Sequence, residues 1–254
     1  MEPNAMPHLR TLSLAVALAL PGLALAQDAT RLDDVVVTST RTAIALEDSL
    51  APAQVIDRAD IERSQASSLQ DLLRGRAGIN LTNAGGAGKQ TSLFLRGTNS
   101  SHTLVLIDGV RVNSADFAAA AIPDLPLAQI DRIEIVRGPN SSLYGSEAIG
   151  GVIQIFTRRN QGAYAPHFRV GGGSNGLRQA SAGFGGGGER GWFGADASYQ
   201  RTDGINACRG SATLFKGCYA DEPDRDGYRN VSASLRGGYK LTDTLTAEAS
   251  ALRA

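Results

Sequence analysis

The spacing of apolar positions changes once along the chain, near Gln161-Gly162. Before that point apolar residues come in short, dense runs. Ala53-Gln54-Val55-Ile56 reads as a strand, and Asp57 or Asp60 is placed to cap a brief turn after it. Ser67 to Arg74 reads as a helix: Leu69, Leu72 and Leu73 share one face, Ser67 and Gln70 have capping-box spacing, and Gly75 stops it. Gly78 to Leu81 and Thr91 to Arg96 are strands flanking a polar glycine loop. Leu104 to Ile107 is apolar throughout, as a strand buried on both faces is, and ends in the turn Asp108-Gly109. Pro123 to Ile130 is a loop or turn. Ile133 to Val136 and Gly151 to Thr157 then enclose a loop containing Arg137, Gly138, Pro139 and Tyr144. These runs predict an α+β domain over residues 41–160.

After residue 160 the period is two. Phe193, Ala195, Ala197 and Tyr199 alternate with Gly194, Asp196, Ser198 and Gln200. Val231, Ala233, Leu235 and Tyr239 alternate with Ser232, Ser234, Arg236 and Lys240, and Leu245 to Ala251 repeats the pattern. Strands of about 9–11 residues with one apolar face, one polar face and terminal aromatics suit an outer-membrane β-barrel. A soluble antiparallel sheet would share the alternation, but the long Gly204–Arg229 connection beside the short one at Asp243 favours the barrel. About five such strands fit into residues 161–254. Open edges are not tolerated in hydrocarbon, so a longer barrel is expected.

The N-terminus supports export. Thr11 to Ala26 is almost wholly apolar, is broken by Pro21-Gly22 and ends in Ala24-Leu25-Ala26, a small-x-small cleavage pattern. Residues 1–26 therefore read as a signal peptide starting at Met1 or Met6, and 27–40 as a leader. Within the leader, Asp33, Asp34, Val35, Val36, Val37, Thr38 and Ser39 form an extended segment with no hairpin partner nearby. It either joins the following domain's sheet or pairs with another protein.

Charge is balanced, 25 basic against 25 acidic residues, which argues against a nucleic-acid partner. Cys208 and Cys218 are ten apart in an exported chain, a setting that favours a local disulfide. No catalytic motif survives its context test. Gly85 to Gln90 misses both ends of a P-loop, and Gly171 to Gly176 precedes an alternating strand rather than a helix. Asn206, Asp224 and Asp226, with Asp221 and Glu222 nearby, offer oxygen ligands for a hard cation such as calcium; a solvated loop has the same composition. Arg96, Glu134 and Arg137 lie on or beside apolar strands, where they either pair internally or face water.

In combination, Asp33 to Thr38, Ser68-Leu69-Gln70-Asp71-Leu72-Leu73, Phe94-Leu95-Arg96-Gly97, Leu106-Ile107-Asp108-Gly109-Val110 and Ile133 to Arg159 resemble the TonB-dependent outer-membrane receptors. Arg96 to Asn113 and Tyr144 to Gly151 are most similar to the cobalamin (vitamin B12) receptors of that family. The resemblance implies an N-terminal plug inside the lumen of a 22-stranded, monomeric barrel in the outer membrane. It implies no enzyme activity, and active import of a scarce nutrient. Cobalamin is the main expectation. An iron chelate (siderophore) is the alternative, and a surface-binding barrel without transport is the rival class.

Asp33 to Ser39 would be the TonB box, adding as a strand to TonB, which works with ExbB and ExbD. Cargo would meet the apical loops through Asn83, Gln90, Asn99, Ser100, Ser101, His102 and Asn113. Asp224 and Asp226 resemble one calcium-binding pair of the family, with Asn206 at another ligand position.

Overall fold

The computed structural model describes residues 35–36, 44–45, 51–114, 122–159, 162–207 and 224–254. The signal-peptide expectation falls on residues 1–26 and the disulfide expectation on Cys208 and Cys218; both lie outside the described residues. So do Asp33, Asp34, Val37, Thr38 and Ser39 of the extended leader segment.

The described part of the leader is a two-residue ladder, β1 (Val35–Val36) antiparallel to β2 (Ile44–Ala45). It is a small sheet of its own and does not extend the sheet that follows.

That sheet has the order β3-β8-β9-β6-β7. Its strands are β3 (Ala53–Ile56), β6 (Thr103–Ile107), β7 (Val110–Arg111), β8 (Ile130–Arg137) and β9 (Gly151–Thr157). β9 is buried along its whole length, and it is central because β8 pairs with it antiparallel and β6 parallel. Continuous Ile, Val and Leu runs are what strands covered on both faces require. β4 (Ile79–Asn83) and β5 (Thr91–Leu95) form a separate hairpin across the glycine loop. Helices α1 (Arg58–Ser64), α2 (Leu69–Leu73) and α3 (Ser141–Tyr144) complete the domain.

The turn expected after β3 is a seven-residue helix, with the Asp57 side chain accepting from the Asp60 amide. The α2 cap is Ser68 rather than Ser67: Ser68 Oγ accepts from Asp71 N, while Ser67 Oγ bonds the Asp71 carboxylate. Gln70 makes no capping box. It is buried, and its amide donates to Thr91 Oγ1 at 2.6 Å.

The second sheet runs in chain order: β10 (Ala165–Gly173), β11 (Leu177–Gly187), β12 (Gly191–Thr202), β13 (Tyr228–Lys240) and β14 (Thr246–Arg253). All its pairings are antiparallel. The β10–β11 turn carries Asn175 and Gly176 at positive φ, the Asn-Gly chemistry of a tight hairpin. One connection is far longer than the others. Short ones at 174–176, 188–190 and 241–245 contrast with the long one at 203–227, which lies at the same end as 174–176. Phe168, Val170, Phe184, Phe193, Val231, Leu235 and Tyr239 form an exposed apolar face, and Tyr164, Phe184 and Phe193 stack near one rim. The opposite, polar face covers the α+β domain.

Candidate functional site

Two kinds of contact surround the α+β domain, and they differ in chemistry. Its interior is apolar. Ile56, Leu73, Leu95, Ile130, Ile133, Ile135 and Ile153 belong to one buried cluster, to which the long-stranded sheet contributes no residue. A smaller cluster of Leu104, Leu106, Ala148 and Val152 is also internal to it.

The seam with the long-stranded sheet is polar. Gln129 Nε2 donates to Ser232 Oγ at 3.3 Å, and Ser232 is 2.6 Å from Ser198. Tyr228 Oη donates to the Asp124 carboxylate, and Asn230 Nδ2 to the Asp124 carbonyl. Gln179 Nε2 reaches the Ser67 carbonyl. Nearer the turn end of β13, Arg236 Nη1 lies 2.8 Å from Asp108 Oδ1 and 2.7 Å from Thr157 Oγ1.

At the loop end, the glycine loop between β4 and β5 meets the bases of the 203–227 connection. Lys89 Nζ lies 2.8 Å from Asp226 Oδ1, and Asp226 Oδ2 accepts from the Ala207 amide. The Lys89 ammonium and the Ala207 amide hold the Asp226 carboxyl below its ordinary value of 3.8. Gly88, at φ +73, fits because a Cβ there would run into the Tyr228 ring.

This geometry bears on the metal expectation. Both Asp226 oxygens are committed to nitrogen donors, Asp224 is exposed, and Asn206 sits beside Ala207 on the other strand base. Among the described residues no three His, Cys, Asp or Glu side chains gather as a metal group. In this arrangement Lys89 occupies the Asp226 carboxylate, and Asp221 and Glu222 of the cation expectation lie outside the described residues.

The expected cargo residues fall on different elements. Asn83 donates to Gln70 Oε1 and Thr91 Oγ1 and accepts from the Gly85 amide, so its side chain shapes the glycine loop. Gln90 is exposed beside it. Asn99, Ser100, Ser101 and His102 make the turn leading into β6: Ser100 Oγ accepts from Leu93 N, and the His102 carbonyl accepts from Gly150 N. Asn113 bonds the backbone at both ends of its amide, Val105 N to Oδ1 and Nδ2 to Thr103 O, and so extends the sheet edge. Asn99 and Gln90 present exposed side chains, whereas Asn83 and Asn113 are engaged in local structure.

Of Arg96, Glu134 and Arg137, Glu134 does pair internally, while Arg137 is held by hydrogen bonds rather than by an ion pair. Fully buried Glu134 takes Arg132, two residues earlier, at 2.9 Å, and Arg132 also covers the Phe156 ring. Alternation along β8 explains this: residues 132 and 134 share a face, and 137 lies on the other. Arg137 donates instead to Gln54 Oε1 and the Ala77 carbonyl. Burial, and then the like charge of Arg96, push its pKa down.

Residues 45–152 match the family model described as TonB-dependent Receptor Plug Domain. The α+β domain is a TonB-dependent receptor plug domain. Over 234 residues the chain is 36% identical to a "Vitamin B12 transporter BtuB" from Photobacterium profundum, covering 91% of this chain and 37% of that protein. The chain thus spans about 37% of that curated relative's length.

Among solved structures it resembles the ferric enterobactin receptor of Pseudomonas aeruginosa in complex with enterobactin: TM-score 0.59, 25% identity, 80% of this chain and 33% of that one. It also shares its fold with the ferripyoverdine receptor of the same organism: TM-score 0.63, 17% identity, 85% of this chain and 27% of that one. The five-stranded sheet that the plug faces is consistent in architecture with part of such a receptor's barrel, hereafter the wall.

The sequence reading missed Asp108, Thr157 and Arg236 as partners across the seam. One signal was available. Arg236 is a charge on the inward row of an otherwise apolar-out strand, and Asp108 follows a four-residue apolar run of which Leu104, Val105 and Leu106 are buried, so each needs a partner inside.

Proposed function

We propose that this chain carries the plug and first wall strands of an outer-membrane receptor that imports a scarce nutrient with energy delivered through TonB, ExbB and ExbD. One observation carries the reading: the plug keeps its apolar core to itself and meets the wall through hydrogen bonds and ion pairs. Polar contacts can be exchanged for water during a displacement, whereas a shared apolar core would be exposed at a cost of about 25 cal/mol per Å². A passive surface-binding barrel has no use for such a seam.

The orientation follows barrel practice, with the long 203–227 connection outside, beside the 174–176 turn, and the 188–190 and 241–245 turns toward the periplasm. Cargo would then approach the Asn83–Gln90 loop, the Asn99–His102 turn and the bases of the long connection. An iron chelate is the better-supported cargo, because the solved receptors that the chain resembles bind ferric siderophores. The 36% identity with a vitamin B12 transporter favours cobalamin as a second reading.

The test uses the full-length receptor in cells. Removing residues 33–39 should abolish uptake and leave surface binding intact; persistent uptake would sink the reading. Labelled ferric enterobactin and labelled cobalamin, offered separately, decide the cargo by which one saturates the surface sites.

A further inference from the structure

Among the described residues, Arg236 and Asp108 form the most deeply buried ion pair that crosses the seam; their side chains are 9% and 11% exposed. Breaking a buried pair is normally prohibitive, because each charge is left in a poor solvent without a partner. Here each charge has a second partner on its own side of the seam. Asp108 accepts from the Thr157 amide at 3.1 Å and from Thr157 Oγ1 at 2.6 Å, and both donors belong to the plug. These bonds also hold Asp108 at φ +48 and tie the end of β6 to the end of β9.

Arg236 has Glu248 on the neighbouring wall strand, 3.8 Å from its Nη2, and the Trp192 ring 5.8 Å from its guanidinium carbon. Glu248 stands opposite Gly238, so it is the diagonal cross-strand neighbour of Arg236. Arg236 Nε is buried and has no hydrogen-bond partner while the plug is seated, which leaves the guanidinium a donor that Asp108 does not use.

We propose that Arg236 is a two-position latch: it holds Asp108 while the plug is seated and turns to Glu248 when the plug is displaced. The latch rests on the uptake reading above. Arg236 and Glu248 are positioning residues, and the 2.8 Å contact to Asp108 is closer than the 3.8 Å approach to Glu248. The alternate partner lets the seam open without stranding a buried charge on either side, and it keeps the arginine aligned for the plug's return.

The deciding variant is Glu248→Gln in the full-length receptor. Surface binding and the cargo concentration for half-maximal uptake should stay at the parental values. The maximal uptake rate should fall about tenfold, the scale of one lost charge-assisted hydrogen bond, and Glu248→Asp should restore most of it. A second, independent arm joins the two positions covalently as Asp108→Cys with Arg236→Cys through a disulfide-containing bismaleimide, with cross-link formation verified by mass spectrometry. Uptake should stop with the cross-link closed and return on its reduction.

Parental uptake in Glu248→Gln, or uptake with the cross-link closed, overturns the latch. So does a loss of surface binding in Glu248→Gln, which would mark Glu248 as a support of the fold. A receptor lacking residues 33–39 is measured alongside. If it still imports, the uptake reading itself has failed; if it does not, while Glu248→Gln imports normally, the latch alone has failed.

Discussion

The interior of the plug and its seam with the wall are built on opposite principles. Inside, Ile133, Ile135, Ile153 and Leu95 are almost completely excluded from solvent and belong to one cluster of plug residues. Across the seam, Ser232, Gln129, Asp108 and Arg236 are nearly as buried but meet through oriented polar bonds. Burial alone therefore does not tell the two regions apart. The chemistry of the buried atoms does: an apolar core holds a domain together in any surroundings, whereas matched polar groups fix one seating and release it when alternatives are offered.

The contrast can be broken from the core side. Ile135→Ala removes a fully buried side chain from the central cluster and should cost the plug about 3 kcal/mol, within the range for such truncations. Hydrogen exchange should show the loss across β8, β9 and β6, with the wall amides unchanged. If the wall loosens equally, the plug is not independently cored.

A smaller effect is expected where the two regions meet at the loop end. Gly88→Ala sets a Cβ against the Tyr228 ring at a positive φ and should cost about 1–2 kcal/mol. Exchange should rise at the Ala84 and Lys89 amides, whose bonds close the glycine loop. Smaller again is Ser232→Ala, which removes one hydroxyl from the Gln129–Ser232–Ser198 chain. It should cost about 1 kcal/mol and leave the plug core's exchange unaltered.

The subtlest test is pH. Asp226 is held below its ordinary value of 3.8 by Lys89 and the Ala207 amide. A depressed carboxyl contributes its stabilisation above its unfolded-state value and loses it as pH falls through the folded-state one. The Lys89–Asp226 contact should therefore be constant from pH 7 to about pH 5 and fail only below the ordinary carboxylate value. Chemical shifts of the Ala207 amide would follow it. Loosening near pH 6 would assign the contact to another group.

Much of the architecture was legible in the sequence because it depends on local spacing. The four-residue apolar run at Leu104–Ile107 does make a doubly covered strand, and the alternation at Val231–Lys240 does divide one strand into an apolar outer row and a polar inner one. Local spacing also misled. Ser67 and Gln70 have capping-box spacing, but Gln70 finds a better use bonding Thr91, 21 positions away, and the cap passes to Ser68. The seam was least legible. Gln129 and Ser232 stand 103 positions apart, and periodicity names the face on which each lies without naming what it faces. The same limit applied to Glu134: its internal pairing was legible as one of two options, but not that its partner is Arg132 on the same face of the strand.

On the uptake proposal, the separately cored plug must shift against the wall for cargo to pass. The most direct measurement joins them where they already touch, as Gln129→Cys with Ser232→Cys in the full-length receptor, with cross-link formation verified by mass spectrometry. The account predicts unchanged surface binding, no uptake while the bond is closed, and recovery of uptake on reduction. Uptake at the parental rate through a receptor whose plug is covalently fixed to its wall would contradict it.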